Sequence, residues 1–275
     1  MKNNIQKILL TDDFVNLKKE QLNDDITKIL SEDSSKMLDF VSNYIYWNGF
    51  FAGCVINLAS RFHLGLELNA YEPNCPQEEF FQTRGHRVAG LIFAAAEDEY
   101  SDEHCKLDGV RIEHKTMAWF TLNKMFNFYN VDITRRKTNT STHHIVSRTK
   151  KGYGFNEKSN FLNLAKQLGF HIGSEKIASY EFEIISNKIQ ELYPDLVSDL
   201  KSRELIKGIN AFSWFEVHGS VEDAHANYAL DAAQILIDYI DSRDEFLKKD
   251  VIKEIQDGFN DFSILQDDFF KIYAK

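Results

Sequence analysis

Spaced apolar residues on a charged background open the chain. Phe14, Leu17, Leu22, Ile26, Ile29 and Leu30 recur among acids and lysines from Asp12 to Leu30, which predicts an amphipathic helix. Asp33, Ser34 and Ser35 are good N-cap residues for the next helix. From Met37 to Phe62 the chain is mostly apolar, lacks strand alternation and contains no proline. This predicts one buried central helix, apolar nearly all round. Pro73 and Pro76 bracket a loop; a helix is expected from near Gln77 through Tyr100, and another from Glu113 to Phe128. Residues 132–155 are polar and basic, with Arg135, Arg136, Lys137, Arg148, Lys150 and Lys151, and read as a loop or lid. Helical spacing resumes at Asn156 to Leu168 and again at Ser174 to Leu192, where Pro194 stops it. It continues from Ser202 to Tyr239, with Gly208 and Gly219 inside, and in one or two tail helices from Arg243 to Tyr273. There is no repeat and no clear strand. The expectation is an all-α bundle of seven or eight helices forming a single domain over residues 1–275.

Composition agrees with that picture. Three prolines and 13 glycines in 275 residues leave little turn punctuation for an all-β protein. The 22 phenylalanines and 11 tyrosines suggest a thick core or an aromatic-walled cavity. A net charge of −10 argues against nucleic acid or an anionic membrane as partner, because phosphate binding needs a surplus of lysine and arginine. No apolar run approaches the ~18 residues that span a bilayer. Cys54, Cys75 and Cys105 are odd in number and show no CxxC spacing, so neither a zinc ribbon nor a disulfide framework is expected. Residues 1–10 have no signal-peptide pattern, and the expected compartment is a reducing cytoplasm.

The strongest chemical signal is His218, Glu222 and His225, at spacings of four and three. On a helix these residues share one face. Phe212, Trp214 and Phe215 precede them and Ala229 and Leu230 follow, so the polar face belongs to an otherwise apolar helix. Imidazole with carboxylate suits iron, zinc or manganese, and bundles build di-iron sites from such residues on facing helices. The plainer reading is a solvated face with two histidines. A bundle site also needs carboxylates from other apolar helices. Glu181, with Glu183 beside it, and Glu97 or Glu99 are the candidates.

Together these residues resemble the haem-oxygenase-like di-iron oxidases, which include the chlamydial death-domain-associating protein and oxidases that form terminal alkenes or N-nitroso groups. The late helix of that family carries His-x3-Asp/Glu-x2-His, matched by His218, Glu222 and His225. Its middle helix carries a Glu preceded by an aromatic residue, as in Ser179-Tyr180-Glu181. Its earlier Asp-Glu resembles Asp98-Glu99-Tyr100, and its aromatic first core helix resembles the stretch with Tyr44, Ile45, Tyr46, Trp47 and Phe50. The family's early Glu and His often stand seven residues apart. Glu97 and His104 have that spacing, but the helical run that should follow the His begins after His114. Glu99 and His114, with an inserted loop around Asp108-Gly109, are therefore preferred, and Glu97 with His104 stays as the alternative. Glu79 and His86 share the spacing but come too early, and read as surface.

The resemblance implies a metal set of Glu99, His114, Glu181, His218, Glu222 and His225 holding two Fe(II) ions, with manganese as the alternative. It implies O2 and a small organic substrate, such as an amino acid, a fatty acid or an aromatic amine, as partners. The basic segment 132–155 would cover the site and hold a substrate carboxylate, or simply be solvated. Within the fold, a haem oxygenase would need an N-terminal proximal His, and none precedes His63. A thiaminase would need a late cysteine, and the last is Cys105. A cofactorless quinone-biosynthesis oxidase remains, as does a non-catalytic interaction protein with a vestigial metal site. Phe259, Phe262, Phe269 and Phe270 would form a homodimer surface in the last case; packing against the bundle is the preferred reading.

Overall fold

A computed structural model of the chain describes residues 5–64, 78–100, 102–107, 110–156, 160–238, 240 and 244–275. Eleven α-helices account for most of them. They are α1 (Ile5–Leu9), α2 (Asp12–Leu30), α3 (Ser34–Asn48), α4 (Phe51–Leu64), α5 (Glu78–Tyr100), α6 (His114–Phe128), α7 (Thr140–Gly152), α8 (Phe161–Leu192), α9 (Pro194–Ser202), α10 (Ser213–Asp238) and α11 (Glu245–Tyr273). A 3-10 turn spans Ile133–Arg135. Two small antiparallel ribbons pair β1 (Asp102–Leu107) with β2 (Val110–Ile112) and β3 (Glu204–Ile206) with β4 (Ile209–Asn210). The fold is an all-α bundle. Among the described residues no helix is long and apolar enough to cross a membrane.

Side-chain caps fix where helices begin. The side chains of Thr11, Asp33, Asn139, Asn160 and Asp244 accept backbone N–H groups at the starts of α2, α3, α7, α8 and α11. Helix α8 is the central strut, and its most extensive contacts are with α11 and α10. Glycine sets how closely α8 and α11 cross. A Cβ on Gly169 would collide with the Ile255 carbonyl, and one on Gly258 with the Lys166 carbonyl. The two backbones therefore meet at these glycines. Further along α11, Phe262, Phe269 and Phe270 are buried, as is Trp47. Trp47 and Phe269 rings are 4.5 Å apart, and the Trp47 indole N–H donates to Thr149 Oγ1 at 2.8 Å. Phe259, Phe262, Phe269 and Phe270 are thus inside the chain rather than on a dimer surface.

Several expected boundaries differ. The apolar run 37–62 is two helices, α3 and α4, parted at Gly49 and Phe50. A continuous apolar pattern carries no mark of a corner. The two helices expected over 156–168 and 174–192 are joined in the 32-residue α8, which begins at Phe161, because Gly169 and Gly173 pack against α11 instead of ending a helix. Residues 203–210 are not helical: Gly208 has φ +86°, which turns β3 into β4. The tail is one helix, α11. The largest correction concerns 132–155, read as a loop. Residues 140–152 are helical, with Thr142, Ile145, Val146 and Thr149 buried at i, i+3, i+4 and i+7. Hydroxylated and β-branched residues, poor helix formers by propensity, hide that stripe. Strands are short but present, and the helix count exceeds seven or eight.

Candidate metal centre

Four helices bring carboxylates and imidazoles together. Helix α5 contributes Glu99 one residue before its end, and α6 contributes His114 as its first residue. Helix α8 contributes Glu175, and α10 contributes His218, Glu222 and His225 on one face. Two groups result. Glu99, His114 and His218 form one; Glu175, Glu222 and His225 form the other. In each, one ligand atom per residue lies within 4.8 Å of the others. Nδ1 of His114 is 3.3 Å from Oε1 of Glu99. Nδ1 of His225 is 3.4 Å from Oε2 of Glu222 and 3.6 Å from Oε2 of Glu175. The helical rise of ~1.5 Å per residue sets the two groups side by side along α10. Glu99 lines the cavities of both groups.

The protonation pattern suits cation binding. His218 Nδ1 donates to the Trp214 carbonyl at 2.6 Å, so its lone pair sits on Nε2. Burial, with His114 beside it, pushes the His218 imidazole down to about 3, so it is neutral. Its ring stacks on Phe182 at 4.2 Å and lies 4.6 Å from the His114 ring. Burial pulls Glu99 upward, but the charge and hydrogen bond of His114 outweigh it and hold the carboxyl below its usual range. In the second group, burial pushes Glu222 up to about 8, with Glu175 adding to the rise. Burial opposes a charged His225, yet hydrogen bonds and charge from Glu175 and Glu222 raise it well above an ordinary histidine. Two buried carboxylates around one imidazole coexist only with protons or a cation between them. This donor set fits a divalent first-row metal at each group, and a metal there displaces the protons.

Glu181 stands elsewhere. It follows Glu175 by six residues, about 240° further round α8. Tyr44 Oη–H donates to its Oε2 at 2.8 Å, and the Gln266 side-chain amide donates to its Oε1. Burial pushes it up to about 7. It borders the smaller cavity but belongs to neither group. Glu97 is an exposed side chain on α5. The side chains of His104 and Glu79 lie outside the described residues, whereas His86 is exposed and stacks on His63. Residues 108–109, expected as an inserted loop, lie outside the described residues.

Sequence reasoning missed Glu175 and its support. Oε1 of Glu175 lies 3.2 Å from Nδ1 of His171, one turn earlier on α8. Tyr153 Oη lies 3.2 Å from the same nitrogen and 2.6 Å from Ser174 Oγ. The His171–Glu175 spacing was the available signal; dividing α8 near Gly169 and Gly173 hid it.

A cavity of about 400 Å³ leads from the surface to Glu99, His114 and His218. Ile45, Phe50, Trp119 and Trp214 supply much of its wall, with Tyr46, Lys115 and Arg136 adding polar groups.

An all-α bundle that sets two carboxylate–imidazole groups side by side thus defines the class of protein. No protein-family model and no curated protein matches the chain. A solved structure does. The crystal structure of a CADD-like protein of unknown function from Nostoc punctiforme superposes with a TM-score of 0.55 at 14% identity, covering 94% of this chain and 97% of that one. The fold is that of the CADD-like bundle.

Proposed function

We propose that the protein is a non-haem di-iron oxidase or oxygenase that activates O2 and acts on a small organic substrate. The observation that carries this is the pair of three-residue groups sharing α10 at the inner end of a cavity. Glu99, His114 and His218 would hold one Fe(II), and Glu175, Glu222 and His225 the other. Bound there, the two ions would supply electrons for O2 reduction.

The rest follows from the chain's own residues. His218 is kept neutral by burial and oriented by the Trp214 carbonyl, so Nε2 is available without losing a proton. His171 and Tyr153 steady Glu175 from behind. Trp214 and Phe182 flank His218 with rings, and Tyr44 packs against both of them, which keeps bulk water from that side. Manganese suits the same donors.

The test is an anaerobic Fe(II) titration of the metal-free protein, followed by rapid mixing with oxygenated buffer. Two equivalents bound, and a transient visible band after mixing, are the expected result. His218→Ala and His225→Ala should each remove one equivalent with the helical circular dichroism unchanged. Absence of iron binding would overturn the proposal.

A further inference from the structure

Arg136 is an unmatched cation on the wall of the cavity. It follows the 3-10 turn Ile133–Arg135, and its guanidinium carbon lies 4.4 Å from the centre of the Trp119 ring. Contact with an aromatic face restrains the guanidinium while leaving N–H groups free to donate. Nη1 is buried and has no hydrogen-bond partner among the described residues. No carboxylate among them forms an ion pair with Arg136. A buried guanidinium N–H without an acceptor is costly, more so for a charged group. In a chain of net charge −10, carboxylates are abundant, yet among the described residues none pairs with Arg136.

The cavity supplies the rest of the argument. Its walls are apolar and aromatic, and its inner end is Glu99, His114 and His218. Trp119 follows His114 by five residues on α6, about 7.5 Å along the axis. The guanidinium and the candidate metal ligands are therefore separated along the length of one small molecule. At about 400 Å³ the space is of the size that holds such a ligand. Arg136 and Lys115 line the cavity with Glu113, whose charge offsets one of the two cations, so the balance matches a single negative charge better than a dianion.

We infer that the cavity binds a medium-sized organic carboxylate, with the carboxylate on the N–H edge of Arg136, the apolar body between Trp119 and Trp214, and the far end toward Glu99, His114 and His218. That the far end is the reacting end rests on the function proposed above; the binding of a carboxylate does not.

The test uses matched probes and no turnover. The full chain, metal-free, is titrated with 4-phenylbutanoate and with its amide, 4-phenylbutanamide, and binding is read from the fluorescence of Trp119 and Trp214. The acid is expected to bind at least tenfold more tightly than the amide. Arg136→Gln should abolish that preference while the amide still binds, Arg136→Lys should keep part of it, and Lys115→Gln should leave it intact. Circular dichroism checks that each variant is folded. Equal binding of acid and amide to the wild type, a preference that survives Arg136→Gln, tighter binding of phenethyl phosphate than of the acid, or no binding of any probe would each overturn the inference. Failure of the iron titration alongside an Arg136-dependent preference would sink the di-iron reading and leave the carboxylate site standing. The reverse pattern would do the opposite.

Discussion

Oε2 of Glu175 lies 3.6 Å from Nδ1 of His225, which ties α8 to α10 in the buried core. Glu181, on the same helix, is instead held by Tyr44 and Gln266. The two glutamates are both buried but accept from different donors, and this separates their roles.

Glu175→Gln is therefore expected to weaken metal binding at the second group by at least the ~10–100-fold typical of losing a supporting contact, while the first group is retained. Glu181→Gln should leave two equivalents bound. Metal analysis after gel filtration, with calorimetric titration for affinity, checks both. Retention of two tightly bound metals by Glu175→Gln would refute the assignment.

Metal uptake should depend on pH with a definite sign. In the metal-free protein Glu222 titrates near 8, and His225 is held protonated by Glu175 and Glu222. A divalent ion must expel these protons, so its affinity rises with pH. Between pH 6 and 8 the gain is about tenfold per pH unit for each proton released. Calorimetry of Mn(II) binding in buffers of different ionisation enthalpy counts the protons directly. Affinity independent of pH would contradict the protonation pattern.

Much of the architecture was legible in residue spacing, and the reasons for the misses are local. Apolar spacing alone predicts a helix over Asp12 to Leu30, and α2 has those limits, with Thr11 as its cap. His218, Glu222 and His225 were grouped because helical geometry alone determines a shared face. Glu99 and His114 were paired on the apolar run after His114, and their atoms do meet across the β1–β2 ribbon. Glu175 has a helical-spacing signal only with His171, and that is lost when α8 is divided near Gly169 and Gly173. Choosing between Glu175 and Glu181 depends on the rotation of α8 against α10, which the α8–α11 crossing sets. Helix α7 escaped notice because its buried face is built from Thr142 and Thr149 as much as from Ile145 and Val146. Arg136 looked like one of many loop cations; only the fold puts it against Trp119.

The close crossing of α8 and α11 predicts intolerance to a single methyl group. Gly258→Ala sets a Cβ into the Lys166 carbonyl, and backbone on both sides leaves nothing flexible to move. The cost should reach or exceed the ~1–3 kcal/mol typical of overpacking. Gly90→Ala, with open space around the new Cβ, is the control and should be neutral or slightly stabilising. Urea denaturation followed by circular dichroism compares them. Equal midpoints for wild type and Gly258→Ala would show that the two helices do not meet as described.

Glu181 predicts a stability difference that grows with pH. Burial pushes its carboxyl up to about 7, although Gln266, Tyr44 and Lys18 oppose the rise, whereas an unfolded glutamate titrates near 4.5. A folded-state pKa above the unfolded one means that the folded protein prefers the protonated acid. The favourable contribution is complete below about pH 4.5 and is lost as pH rises through about 7. Above pH 7 the folded protein carries a buried carboxylate at a cost on the order of 3 kcal/mol. Glu181→Gln has no charge to bury and still offers an amide to Tyr44 and Gln266, whose Oε1 has no partner among the described residues. The variant should therefore gain on the wild type as pH rises from 5 to 8, by a few kcal/mol at most, with most of the change complete by about pH 7. Chemical denaturation of both proteins at pH 5, 6, 7 and 8 measures the difference, and a difference that stays constant across that range would place the Glu181 titration outside it.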